Sequence, residues 1–216
     1  YLQESPEWSI QRAHFENNQA MDGGALYVDA GDDIKVCRTF FIRNTGQGGG
    51  GAIALQRANI VRVASSVFTG NQASRGARLV GDFISSGSVT NVTMNQNVSA
   101  EEPNLVLTGP DRWTFENSIL WQNGIVYEAD VEPIFRTNIV DATFNGDEGN
   151  LSEDPKLRST IDQNADTWDL SLRSDSPAID AGDSSLIEAD FCNQDVDAEA
   201  RVVGASVDIG AYEFRP

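Results

Sequence analysis

Large apolar residues recur along the first half of the chain, each three positions before an asparagine. Phe15, Phe41, Phe68, Met94 and Leu120 precede Asn18, Asn44, Asn71, Asn97 and Asn123, at spacings of 26, 27, 26 and 26 residues between successive asparagines. Upstream of each lies a short alternating run: Trp8-Ser9-Ile10, Ile34-Lys35-Val36, Val61-Arg62-Val63 and Trp113-Thr114-Phe115. A period of two is the mark of a half-buried strand. Small or polar residues then shift the parity, and a second short strand carries the large apolar residue. The fourth copy has Gly87 in the first position, while Val89, Val92 and Met94 keep their places. After the asparagine comes a corner, Gly23-Gly24-Ala25-Leu26 and Gly50-Gly51-Ala52-Ile53 in the first copies, where glycine permits positive φ. The later copies read Gly76-Ala77-Arg78-Leu79 and Asn104-Leu105-Val106-Leu107. Each repeat is therefore predicted to be strand, bend, strand, asparagine turn, glycine corner, strand and variable loop.

A fixed period of this length signals a solenoid, and about 26 residues make one coil of a parallel β-helix. Strands of successive coils lie about 4.8 Å apart, so equivalent side chains stack. Stacked asparagines can pass amide hydrogen bonds from coil to coil, at about 1 kcal/mol net each. The pattern predicts a buried interior of Trp8, Ile10, Phe15, Ile34, Val36, Phe41, Val61, Val63, Phe68, Val89, Met94, Phe115 and Leu120. The expected architecture is all-β, with about five to six coils over residues 1–140. A shorter sixth coil places Phe135, Asn138 and Val140 opposite Phe115, Ser118 and Leu120. Residues 141–216 lose the period and read as an irregular capping module that closes the C-terminal end.

Charge separates the halves further. Residues 1–108 hold 8 basic and 10 acidic residues, whereas residues 109–216 hold 7 and 23. With a net charge of −18 overall, nucleic acid and anionic membrane are excluded as partners, because both repel such a surface. Cations, Ca²⁺ above all, remain as ligands of the second half. No apolar run approaches the ~18 residues of a membrane span. The single histidine, His14, faces outward with no nucleophile beside it in the pattern. The two lysines, Lys35 and Lys156, lie outside any acidic cluster of the repeats, and Glu16, Asp22, Asp29, Asp32, Asp33 and Asp82 are scattered. Enzymatic function is left undecided, with the balance against it. Trp121 and Trp168 fall outside the repeat and suit either packing or stacking on a sugar ring. Cys37 and Cys192 either pair, tying the tail to the coils, or stand as two separate thiols.

The second half also carries four ordered words: Gly149-Asn150-Leu151-Ser152-Glu153-Asp154-Pro155, Asp169-Leu170-Ser171-Leu172, Ser176-Pro177-Ala178-Ile179-Asp180-Ala181-Gly182-Asp183 and Asp208-Ile209-Gly210-Ala211-Tyr212-Glu213-Phe214. Together they resemble the C-terminal module of secreted bacterial β-helix proteins of the choice-of-anchor Q type. The upstream repeats resemble those of chlamydial polymorphic outer membrane proteins. The resemblance implies a right-handed β-helix, export from a bacterium and an extracellular or cell-surface location; it implies no activity. One segment departs from the pattern, since Ala198 stands where the module has glycine in a tight turn. Asn193, Asp195 and Asp197 still offer alternate oxygens, either as a calcium loop or as Asx turns that cap their own backbone.

The expected function is that of an extracellular structural or adhesive protein, part of a larger assembly. The competing reading is a β-helix that binds or degrades polysaccharide. The first coil, lined by Trp8, Ile10 and Phe15, reads as an uncapped end. It is expected to continue a longer polypeptide or to dock on another chain or copy.

Overall fold

The computed structural model describes residues 2–101, 105–110, 112–122, 127–141, 149–159, 169–187 and 190–216. The first coil is built from β1 (Leu2–Gln11), β2 (His14–Glu16) and β3 (Gln19–Asp22), and the second from β4 (Leu26–Cys37), β5 (Phe40–Ile42) and β6 (Thr45–Gly49). The third has β7 (Ile53–Ala64), β8 (Val67–Thr69) and β9 (Gln72–Arg75). The fourth has β10 (Leu79–Asp82), β11 (Ser86–Thr90), β12 (Thr93–Asn95) and β13 (Val98–Ser99). Beyond these come β14 (Leu105–Leu107), β15 (Trp113–Glu116), β16 (Ile119–Trp121), β17 (Tyr127–Ala129), β18 (Ile134–Arg136) and β19 (Ile139–Val140). All pair in parallel with the equivalent strand of the next coil, giving a β-solenoid of about four turns. That is fewer than the five to six coils expected. The third sheet explains the difference, because it contains only β3, β6, β9 and β13. Later coils add rungs to the first and second sheets alone among the described residues.

The register follows the repeat. Phe15, Phe41, Phe68, Met94, Leu120 and Val140 pair in sequence across the second sheet, and Phe115 pairs with Phe135 in the first. The rings stack inside, with Phe41 and Phe68 centroids 4.7 Å apart and Phe115 and Phe135 4.9 Å apart. Ten of the thirteen expected core residues are buried. Trp8, Ile10 and Phe15 are only half-buried, because they pack against the core from one side. Gly87, the weak point of the fourth copy, has a packing reason. It pairs with Trp113, and a Cβ at Gly87 would sit 2.2 Å from the indole.

Two rows of left-handed residues turn the chain. Arg12, Arg38, Ser65, Asn91, Asn117 and Thr137 make the first corner at φ between +43° and +54°. Asn17, Arg43, Gly70, Gln96 and Gln122 make the second at φ between +51° and +66°. For residues other than glycine this conformation costs about 1–2 kcal/mol each. A ladder residue follows each bend and helps to offset that cost. At the second corner, Asn18 Nδ2 donates to Asn44 Oδ1 at 2.9 Å, Asn44 to Asn71 at 3.0 Å and Asn71 to Asn97 at 2.8 Å. Each accepting oxygen also takes the backbone N–H of the preceding rung. Asn123 lies outside the described residues. A second ladder runs at the first corner: Ser118 N–H donates to Asn138 Oδ1 at 2.8 Å, and Asn138 Nδ2 to Asn150 Oδ1 at 3.1 Å.

The variable loop is absent from the early coils. There the strand that follows the glycine corner runs straight into the first strand of the next coil, giving β4 and β7 their 12 residues. Ala30 and Arg57, at φ +65° and +55°, supply only a kink. The glycine corner is as expected, with Gly23, Gly50 and Gly76 at φ +61°, +66° and +62°.

The C-terminal segment begins at the far end of the coils, where Leu151 bridges Ile139. From there it runs back along the outer face of the second sheet, so it covers a flank as well as an end. Val67, Ile119 and Ile139 point outward into a second apolar cluster with Leu170, Leu172, Ala178, Ile209 and Ala211. Within the segment, β20 (Leu157–Ser159) and β21 (Asp169–Leu172) form an antiparallel pair.

Candidate functional site

The flank segment is fastened to the coils at several points. Cys37 at the end of β4 is bonded to Cys192, with their Cα atoms 5.8 Å apart. Beside it, Arg62 lies over the Phe191 ring at 5.7 Å, and Arg38 donates to Gln194. Farther along, Thr93 Oγ1 accepts from Ala211 N–H at 3.0 Å. Asn117, a corner residue, pairs its side-chain amide with the backbone of Asp183 and takes Gly210 N–H on its own carbonyl at 2.8 Å.

The loop holding Asn193, Asp195 and Asp197 folds as a tight hairpin. Gln194 bridges Ala200, Ala198 N–H donates to Asp195 C=O at 3.0 Å, and Glu199 N–H donates to Asp195 Oδ1 at 2.9 Å. Ala198 takes the glycine conformation, φ +70°. Asp195 is fully buried, and its other oxygen accepts from Arg215 at 2.7 Å and from Glu213 N–H at 3.3 Å. Asn193 and Asp197 are exposed. Of the three, Asp195 alone turns inward, where Arg215 and Glu213 N–H occupy one of its oxygens, while Asn193 and Asp197 face the solvent. Among the described residues no group of three His, Cys, Asp or Glu is placed to hold a metal. Asp195 Oδ1 instead caps the backbone four residues on, at Glu199 N–H.

Behind this loop lies an ionic cluster that the sequence pattern did not single out. Arg201 is buried and donates to the carbonyls of Asp208, Gly210 and Ala211. Glu213 Oε1 accepts from Asp208 N–H at 2.9 Å, while Asp208 Oδ2 accepts from Phe214 N–H at 2.6 Å and its Oδ1 from Asp180 N–H at 2.7 Å. These reciprocal bonds give the terminal Asp-Ile-Gly-Ala-Tyr-Glu-Phe word its physical sense: both acids close a loop around one guanidinium. Burial lowers Arg201 to about 10, opposed by Glu213, Asp195 and Asp208. Burial raises Glu213 to about 7, opposed chiefly by Arg201. The Arg201–Glu213 separation is 3.7 Å, and Glu213 Oε2 has no hydrogen-bond partner, so burial outweighs the ion pair.

On the coils, the charged candidates are drawn into pairs between rungs. Asp29 pairs with Arg57, Asp32 Oδ1 accepts from Asn59 at 2.8 Å, and Asp33 meets Arg62 at 2.6 Å and Lys35 at 2.8 Å. Burial pushes Asp33 upward, but hydrogen bonds from Lys35 and Arg62 outweigh it and hold its carboxyl below the usual range. His14 sits 3.2 Å from Glu16, and Lys156 sits 3.3 Å from Asp175.

The grooves that do carry unusual chemistry flank the β20–β21 hairpin. One is lined by Arg158, Arg173, Phe214 and Arg215, and the adjoining one by Trp121, Asp154, Lys156, Arg158 and Arg173. Trp121 is half-buried and packs on the flank cluster, and it also walls the groove. Trp168 lies outside the described residues. No helix among the described residues is long and apolar enough to cross a membrane. Set against known protein families, curated proteins and solved structures, the chain matches none of them.

Proposed function

We propose that this chain is an extracellular or cell-surface structural β-helix, built to present a long rigid surface as part of an adhesive assembly. The observation that carries the reading is the Cys37–Cys192 bond, which fastens the flank segment to the second coil. Such bonds persist in oxidising compartments and are rare where glutathione keeps thiols reduced. The choice-of-anchor Q resemblance of the terminal words points the same way, toward bacterial export. Surface biotinylation of intact cells of the source organism tests it. Labelling of the chain before lysis, with both cysteines blocked to thiol reagents until reduction, is the expected result. A chain labelled only after lysis, with free thiols, rejects the reading.

The assembly contact fits the first coil. β1, β2 and β3 each pair on one side only among the described strands, and Asn18 is the first rung of the described ladder. A coil of matching register, whether earlier in a longer polypeptide or from another chain or copy, would extend all three sheets and the ladder together. Solution scattering across a concentration series tests this contact, and a monomer at the highest concentration removes it. A second reading, binding to a polysaccharide, is supported by the cationic grooves beside the hairpin.

A further inference from the structure

The second half of the chain holds 7 basic residues against 23 acidic ones. Four of the seven, Lys156, Arg158, Arg173 and Arg215, line the two adjoining grooves, which share Arg158 and Arg173. Most are already paired: Asp175 takes Lys156 at 3.3 Å and Arg173 at 3.4 Å, and Asp195 takes Arg215 at 2.7 Å. Arg158 is different. Its Nε donates to the Leu172 carbonyl at 3.4 Å, and its two terminal nitrogens have no protein partner among the described residues. In a segment where acids outnumber bases threefold, an exposed guanidinium that meets no acid among the described residues is unexpected for a plain solvated surface.

The base of this cation is rigid. Leu157 and Leu172 are buried beneath it and paired across the hairpin, and Arg173 N–H donates to the Lys156 carbonyl at 3.1 Å. Alternation along β20 therefore sends Arg158 outward as Leu157 goes inward. One of the two grooves that contain Arg158 is also lined by Trp121. A planar donor fork suits a carboxylate or sulfate, and an aromatic wall suits the apolar face of a sugar ring.

We infer that these grooves bind an acidic saccharide, its anionic group held by Arg158 and Arg173 and its ring set against Trp121. The inference rests on the polysaccharide-binding reading and names the class of sugar. A chain of net charge −18 attracts no polyanion by its overall field, and beyond about 8 Å at physiological salt its other acids are screened. Binding must therefore come from this site.

Isothermal titration with three oligosaccharides of equal length decides it: a neutral glycan, a uronate oligomer and a sulfated oligomer. The uronate or the sulfated oligomer is expected to bind and the neutral one not, the pair telling which anion the fork prefers. Arg158→Gln should weaken that binding at least tenfold with Tm unchanged. Arg75→Gln, on the coils, removes the same charge and should leave binding as it was. Binding of the neutral glycan alone overturns the acidic-sugar inference while keeping the polysaccharide reading. No binding of any of the three overturns both. An equal loss in Arg75→Gln overturns the site.

Discussion

Asn117 and Asp183 hold each other through two hydrogen bonds, Asn117 Nδ2 to the Asp183 carbonyl and Asp183 N–H to Asn117 Oδ1, both 2.9 Å. A side-chain amide here does the work of a β-bridge between coil and flank. Asn117 also bends the chain at φ +48°, a conformation asparagine tolerates better than most residues. Asn117→Ala removes both bonds and should cost about 2–3 kcal/mol. Urea unfolding should show a lower midpoint at unchanged slope. Asn117→Asp should cost more, because it sets a carboxylate against the Asp183 carbonyl.

The disulfide closes a separation of 155 residues. Loop-closure entropy for a span of that size gives about 5 kcal/mol. Reduction, or the double change Cys37→Ser with Cys192→Ser, should lower the calorimetric Tm by many degrees. An unchanged Tm would mean that the flank stays docked without the bond.

Glu213 should give stability an unusual pH dependence. Its ordinary value is 4.5 and burial raises it to about 7, so the folded chain holds this proton where the unfolded chain has lost it. The stabilisation is complete below the ordinary value and is lost as pH rises through about 7. Burial raises Asp208 and Asp197 as well, in the same direction. Tm should fall between about pH 5 and pH 8, and Glu213→Gln should flatten that slope. A Tm rising over the same window would contradict the assignment.

Ala198 closes its hairpin in a conformation made for glycine. Ala198→Gly relieves that strain and loosens the unfolded chain, with a net gain of about 0.5–1 kcal/mol. Differential scanning calorimetry should record a higher Tm. A lower one would show that the loop does not turn at this residue.

Phe68 is 1% exposed and stacks on Phe41. Phe68→Ala should cost about 3–5 kcal/mol. Phe15→Ala should cost less, since its ring is covered from one side only. Equal costs for the two, measured by denaturant titration, would mean that the first coil is covered in solution.

The coils were legible because equivalent residues must stack, and stacking writes a period of about 26 into the chain. The interior, the asparagine ladder and the glycine corner all followed from it. The flank was not legible, because its contacts are aperiodic. Asn150 shows why: it is a rung above Asn138 but only 12 residues away, so no spacing flags it. Alternation alone could not tell that Asp195 would turn inward to Arg215 while Asn193 and Asp197 stayed in water. That the terminal nitrogens of Arg158 meet no acid among the described residues depends on which acids its neighbours attract, and that is a property of the folded surface.

The flank segment also changes how the solenoid comes apart. In a simple solenoid each repeat senses only its neighbours, and fraying can start at either end and travel. Here residues from Cys192 to Ala211 touch Cys37 at the end of β4, Thr93 in β12 and Asn117 after β15, on three different turns. Peeling one coil away therefore strains a strap anchored on several others, and the array is coupled into a single cooperative unit. Synthesis runs the other way. The coils emerge before the strap, so the strap locks turns that have already formed.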